Sequence, residues 1–139
     1  MDLIRILAWV YFLLLMGVVA LDFIPQFADP EGRLFSLFTL DLNDNALHAA
    51  SGIWAGVAAW HSRSWSVTFL RLFGIIYFFD GVLGFFTGSG YLDFGIFIYG
   101  VQEGTWTFRF LTNIPHLALG GFAIFAGYVL SRRPATVAA

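Results

Sequence analysis

Two histidines of this chain stand in matching surroundings, 68 residues apart. The two motifs are Asn45-x-x-His48-x-x-x-Gly52 and Asn113-x-x-His116-x-x-x-Gly120. An imidazole side chain can hydrogen-bond, ligate a metal or haem iron, and carry a proton near neutral pH. Three roles therefore stay open for the histidines: hydrogen bonds between helices, with Asp22 or a loop carbonyl as partner; a metal or haem iron held between the two rings; and a proton relay or transport step.

Asp80 is a second residue that could do chemistry, because it stands inside the apolar run Y-F-F-D-G-V-L-G. On a helix it would lie about 13 Å from Arg71, too far for a direct ion pair. A carboxylate within a membrane costs roughly 2.5–3.5 kcal/mol on insertion scales and indicates a functional site by default. The alternative is a protonated structural acid bonded to a neighbouring backbone group or hydroxyl. The candidate polar cluster comprises His48, His116, Asp22, Asp80, Asn45 and Asn113.

The composition indicates an integral membrane protein. The 139 residues suffice for one domain, 1–139, and are 59% hydrophobic and 12% charged, with a mean hydropathy of +0.79. All seven basic residues are arginines and the net charge is −2, so no basic patch is available for nucleic acid. The absence of cysteine excludes disulfides, thiolate metal sites and a cysteine nucleophile. No catalytic triad or nucleotide motif is present, so we do not expect an enzyme.

Four apolar runs predict an all-α protein with four transmembrane helices, at about 3–24, 45–61, 67–87 and 113–130. The positive-inside rule then places both termini in the cytoplasm. Five arginines fall on that side and two on the other: Arg5, Arg63, Arg71, Arg132 and Arg133 against Arg33 and Arg109. The first run also carries a passable signal-peptide cleavage site, V-V-A, but we expect it to be retained, because the repeat requires it as a partner.

The chain contains an internal repeat. A shift of 68 superposes the second and fourth runs, and a shift of 66 superposes the first and third, matching Arg5 with Arg71 and Tyr11 with Tyr77. This pattern predicts two helical hairpins, about 3–61 and 67–131, related as a parallel repeat about an axis along the membrane normal.

The spacing within each motif predicts a helix start followed by a stripe of small packing residues. Asparagine is a favoured N-cap, so Asn45 and Asn113 are predicted to cap their helices, with Pro115 in a first turn. Steps of three and four then place small residues on one face, where helix backbones approach closely. These packing residues are Gly52, Gly56, Ala55, Ala59, Gly120, Ala123 and Gly127.

The doubled Asn-His-Gly motif resembles a known family. Together with G-R-L-F-S-L-F ahead of the first motif and the Ile-Pro that ends the first run, it is similar to small bacterial membrane proteins of domain-of-unknown-function family 4383. The resemblance implies a four-helix inner-membrane protein and adds no particular activity.

The function predicted from these observations is that of a structural or accessory membrane protein. It would be a small subunit of a larger membrane complex or a homo-oligomer in the bacterial inner membrane, with the lipid bilayer and other membrane subunits as partners. The alternative is a His/Asp-based metal- or haem-binding or proton-transfer unit. No cofactor is required by the sequence. Two outer connections rich in aromatic and acidic residues are expected to lie in the membrane interface, where they could cap the histidines or dock a partner.

Overall fold

A computed structural model describes residues 2–132 of the chain. Its helices are α1 (Leu3–Asp22), α2 (Leu42–His61), α3 (Arg63–Thr87), α4 (Gly95–Ile98) and α5 (Trp106–Tyr128), with 3₁₀ turns at Pro25–Phe27 and Leu130–Arg132. Within this described part no strand forms, and only isolated β-bridges join residues between 28 and 38. The predicted all-helical class is confirmed. Arg133, used for the predicted orientation, lies outside the described residues.

Three stretches are long and apolar enough to cross a membrane: Leu3–Asp22, Arg63–Thr87 and Trp106–Arg132. They correspond to the first, third and fourth predicted spans. Helix α2 has 20 residues but is not among them. Its first turns carry the polar side chains of Asn43, Asp44, Asn45 and His48, which lower the hydropathy of any window that covers them.

The prediction that Asn45 and Asn113 are N-caps is wrong. Helix α2 begins three residues earlier, where the Asp41 carboxylate accepts hydrogen bonds from the backbone N–H groups of Asn43 and Asp44. The Asp44 side chain accepts in return from the Asp41 N–H, which completes a capping box. Helix α5 begins at Trp106 with Thr105 as its cap.

Pro115 therefore lies inside α5 and not in its first turn. Because proline has no N–H to donate, the helix lacks one intrahelical hydrogen bond there. Both histidines consequently lie deeper in their helices than the motifs predicted. His48 is the seventh residue of α2, and His116 is the eleventh residue of α5.

The helices pack as two pairs. α1 packs chiefly on α2 and α3 on α5, while α2 and α3 are joined by Ser62 alone. The two pairs use equivalent hydrogen bonds at one end of the bundle. Arg5 Nε donates to the Ala59 carbonyl at 2.8 Å, and Arg71 Nε donates to the Gly127 carbonyl at 2.7 Å. Guanidinium groups thus satisfy carbonyls near the C-termini of α2 and α5, which are otherwise left without intrahelical donors.

Small residues let the helices approach closely. Ala55, Ala59 and Ala123 are fully buried. A methyl group on Gly52 would meet Met16 and Leu15 of α1, and one on Gly56 would meet Phe12. The tightest approach of two backbones is at Gly120, where a Cβ would overlap the backbone nitrogen and Cα of Phe78. The α3–α5 contact therefore depends on the absence of a side chain at this position.

Gly120→Ala is expected to destabilise the protein by about 1–3 kcal/mol, because the backbones of α3 and α5 must move apart. Gly121→Ala is the matched control on the same helix. Its Cβ would lie 3.7 Å from the Phe78 side chain, in ordinary contact, and alanine favours the helix. Thermal unfolding of the two purified variants in one detergent compares them. Equal melting temperatures for both would contradict the close approach at Gly120.

Candidate functional site

The two repeated histidines meet in the bundle. His48 of α2 and His116 of α5 have ring centroids 6.2 Å apart, with their planes inclined at 55°. His48 is buried, with 8% of its surface exposed. The His116 side chain retains 22% exposure. The fold therefore brings together two imidazoles that lie 68 positions apart in the sequence.

Asp80 of α3 joins this pair. Its Oδ2 lies 2.6 Å from Nδ1 of His116. Its Oδ1 accepts hydrogen bonds from the backbone N–H groups of Tyr91, at 2.6 Å, and Leu92, at 2.9 Å. Asp80 is only 2% exposed, so three donors satisfy a carboxylate that would be costly to bury alone. Two of these bonds, from Tyr91 and Leu92, hold the segment that follows α3 against the bundle, and the third joins α3 to α5.

The hydrogen bonds assign the tautomers of both rings. Nδ1 of His48 lies 2.7 Å from the Asp44 carbonyl oxygen, which can only accept. Nδ1 of His48 must therefore carry the proton. Nδ1 of His116 likewise donates to the Asp80 carboxylate. In their neutral forms both rings leave Nε2 as an acceptor.

Tyr77 and Ser51 extend the polar cluster and were not predicted. Their hydroxyl oxygens are 2.8 Å apart and buried. The Tyr77 ring lies 5.0 Å from that of His116. Spacing could have identified them, because Ser51 follows His48 by three residues and Tyr77 precedes Asp80 by three, so each shares a helix face with a predicted site residue.

Asp22 and Asn45 form a separate pair between α1 and α2. Asn45 Nδ2 donates to Asp22 Oδ2 at 2.7 Å. The repeat-related residue Asn113 behaves differently, because it donates to the Arg109 carbonyl of its own helix and packs against Gly84. Asp22 bonds to neither histidine in the structure. A histidine was expected to bond to a loop carbonyl. His48 does bond to a carbonyl, but it is that of Asp44, within α2 itself.

The connection between α3 and α5, residues 88–105, lies over the cluster. Its Tyr91 and Leu92 N–H groups donate to Asp80, as described above. The N–H of Gln102 donates to the Thr87 carbonyl. The Tyr99 hydroxyl donates to Asp41 Oδ2 at 3.3 Å. The backbone N–H groups that cap α2, led by that of Asp44, hold the pKa of Asp41 below its ordinary range. Its carboxylate is therefore ionised and able to accept from Tyr99 at neutral pH.

Among residues 2–132 no group of three or more histidine, aspartate or glutamate side chains is arranged to hold a metal ion. A groove of about 380 Å³ lies elsewhere on the bundle, between α1 and α2. Its lining is almost wholly apolar and includes Trp9, Phe12 and Trp60. The histidine cluster is thus a packed polar core and not the wall of this groove.

Comparison with known proteins identifies the family. Residues 5–99 match the model of a domain of unknown function, DUF4383. The chain belongs to this family. The DUF4383 match includes His48 and Asp80 and ends before α5, which supplies His116. No curated protein and no solved structure matches the chain.

Asp80→Asn is expected to lower the free energy of unfolding by at least about 2 kcal/mol, since hydrogen bonds to a charged group contribute about 1.5–3 kcal/mol each. Asparagine keeps one oxygen for the two backbone donors but has no negative charge, and its amide nitrogen can face Nδ1 of His116 only if that ring gives up the proton that it donates to Asp80. The control is Glu103→Gln, which removes the same charge from an exposed position in the connection between α3 and α5. Unfolding of both variants in a mixed detergent titration measures the difference. A loss no larger for Asp80→Asn than for Glu103→Gln would show that the three bonds add nothing to stability.

Proposed function

We propose that this protein is a structural or accessory component of the bacterial inner membrane. It would act as a homo-oligomer or as a small subunit of a larger membrane complex. In this arrangement α1, α2, α3 and α5 each cross the bilayer, and both termini are cytoplasmic. The outer connection and the polar cluster beneath it then face the opposite side.

The burial pattern of α2 supports a fourth span. Its polar residues His48 and Ser51 are directed inward and are each 8% exposed. Its outward-facing side chains are apolar: Ile53, Val57 and Trp60 are 56%, 51% and 78% exposed. A helix that presents apolar side chains outward and polar ones inward suits a lipid environment, although its mean hydropathy is low.

The arginine distribution supports the orientation. Arg5, Arg63, Arg71 and Arg132 lie at the end of the bundle where α1 begins and α2 ends, while Arg33 and Arg109 lie in or next to the connections at the other end. Cytoplasmic loops carry the excess of arginine and lysine in membrane proteins.

Because the chain has no cysteine, single-cysteine labelling tests this topology directly. Thr39→Cys, in the first outer connection, is expected to react with a membrane-impermeant maleimide added to intact spheroplasts. Ser64→Cys, at the start of α3, is expected to react only after the membrane is permeabilised. Both positions are exposed, so differences in burial do not confuse the comparison. Labelling of both residues from the outside would contradict four spans with cytoplasmic termini.

The accessory role rests on one observation: the polar network stops partway through the bundle. Beyond Tyr77 and Ser51, toward the arginine-rich end, the core is formed by Phe69, Phe73 and Leu70 together with alanines. Phe73 stacks on Tyr77 with centroids 4.0 Å apart and closes the network. Two buried hydroxyls are exceptions, and each is bonded to backbone: that of Ser66 donates to the carbonyls of Ala58 and Ser62, and that of Tyr11 to the carbonyl of Leu119. A proton or ion path would require polar groups or water along the whole span.

Reconstituted liposomes test this role. With a pH gradient imposed across the membrane, the wild-type protein and Asp80→Asn are both expected to leak protons no faster than protein-free vesicles, as measured by an entrapped pH dye. A faster flux that disappears in Asp80→Asn would overturn the accessory role in favour of proton transfer.

The mass of the assembly gives the second readout of the same proposal. In nanodiscs of native lipid the particle is expected to contain at least two copies of the 15.5 kDa chain, or one copy with a defined partner. A protein that is monomeric in native lipid and is extracted alone from its own membrane would contradict a subunit role.

A further inference from the structure

The Nε2 atoms of His48 and His116 are the two acceptors of the cluster that the fold leaves unused. Each Nδ1 is committed as a donor, to the Asp44 carbonyl in one case and to the Asp80 carboxylate in the other. No hydrogen bond within residues 2–132 reaches either Nε2. In the neutral rings each Nε2 therefore keeps a lone pair that can accept from water or bind a Lewis acid.

The partners of the two Nδ1 atoms are those of metal-ligating histidines. Such histidines donate their second ring N–H to a carboxylate, a backbone carbonyl or water, which fixes the tautomer and raises the basicity of the ligating nitrogen. His116 has the carboxylate and His48 has the carbonyl. Asp80 is itself held by two backbone N–H groups, so the ring that it orients cannot swing freely.

The distance between the rings suits one shared ion. Imidazole–metal bonds are about 2.0 Å long and Nε2 lies about 1 Å from its ring centroid, so two rings that ligate one ion from opposite sides have centroids about 6 Å apart. The observed separation is 6.2 Å. This centroid separation leaves room for one ion bound by the two Nε2 atoms in a near-linear arrangement.

Ligand number and charge select the ion. Structural and catalytic zinc sites use three or four protein ligands, and the described residues provide no third histidine or carboxylate in reach. Monovalent copper accepts two ligands in a line and is well served by imidazole. Its single positive charge would also balance the carboxylate of Asp80, which is 2% exposed and faces no arginine or lysine among its hydrogen-bond partners.

We propose that His48 and His116 together bind one copper(I) ion through their Nε2 atoms, with Asp80 as the positioning residue behind His116. The ion enters past the more exposed of the two rings, that of His116, from the outer side. This site is independent of the accessory role proposed above, since a copper ion could serve an oligomer, a subunit or a single chain.

The experiment uses the full chain, purified without a histidine tag in detergent or nanodiscs and titrated with copper(I) against a competing chelator. One ion per chain is expected. His48→Gln should weaken binding by at least about tenfold, since even the loss of a residue behind a metal ligand costs about 10–100-fold. His61→Gln is the matched control, because His61 is exposed and contacts Trp65 edge to face. It should bind copper like the wild type.

His48→Gln is the decisive variant, because Nδ1 of His48 is bonded only to a backbone carbonyl. The substitution therefore leaves all the contacts of Asp80 in place. Circular dichroism and gel filtration establish that the variant folds. His48→Met supplies a second test, since a thioether still ligates copper(I) and should retain binding. X-ray absorption of the wild-type complex should show two nitrogen neighbours at about 2 Å.

Three results would overturn the proposal. The first is equal copper affinity in His48→Gln and His61→Gln. The second is copper binding no stronger than that of protein-free detergent. The third is zinc or haem binding, shown by elemental analysis or a Soret band, that depends on both histidines while copper does not bind.

Discussion

A carboxylate with almost no access to solvent organises the end of the bundle that contains the two histidines. Asp80 can remain buried only because His116 and two backbone N–H groups donate to it. Those donors come from α5 and from the segment after α3, so one side chain determines where both lie. The orientation of the His116 ring follows from the same bond, and the approach of His48 follows from the packing of α2 against α3. The segment after α3 is thus held against the buried core through its bonds to Asp80.

The helices could be predicted from hydrophobic runs because lipid-facing and buried residues are both apolar in such a bundle. The first residues of α2 and α5 could not be predicted, because residues upstream of the two asparagines cap these helices instead. Asp41 and Thr105 take the capping role, which leaves Asn45 free to reach Asp22 on another helix. A single sequence shows which residues are able to cap, but the chosen cap depends on where tertiary packing lets the helix begin.

Much of the candidate site followed from spacing, and the rest required the fold. The stripe of small residues and the two histidines share their helix faces, so the place of each histidine on a packed face was deducible from the period of 3.6. Whether the two rings meet depended on how the helices pack. The bond between Asp80 and His116 was not deducible, since the residue equivalent to Asp80 in the first hairpin is Leu14. The two halves therefore share their packing at Arg5 and Arg71 while they differ in their polar chemistry. Tyr11 and Tyr77 show the same divergence: one hydroxyl donates to the Leu119 carbonyl and the other pairs with Ser51.

The single residue between α2 and α3 has a consequence for biosynthesis. Ser62 is too short a link for α2 to complete its crossing of the bilayer while α3 waits in water. In the four-span arrangement the two helices must therefore enter the membrane together as a hairpin during translation. The more apolar α3 supplies the free energy of insertion for the polar α2, whose His48 and Ser51 are shielded by the partner that follows them. In that arrangement the insertion machinery would receive α2, which carries His48, together with α3, which carries Asp80.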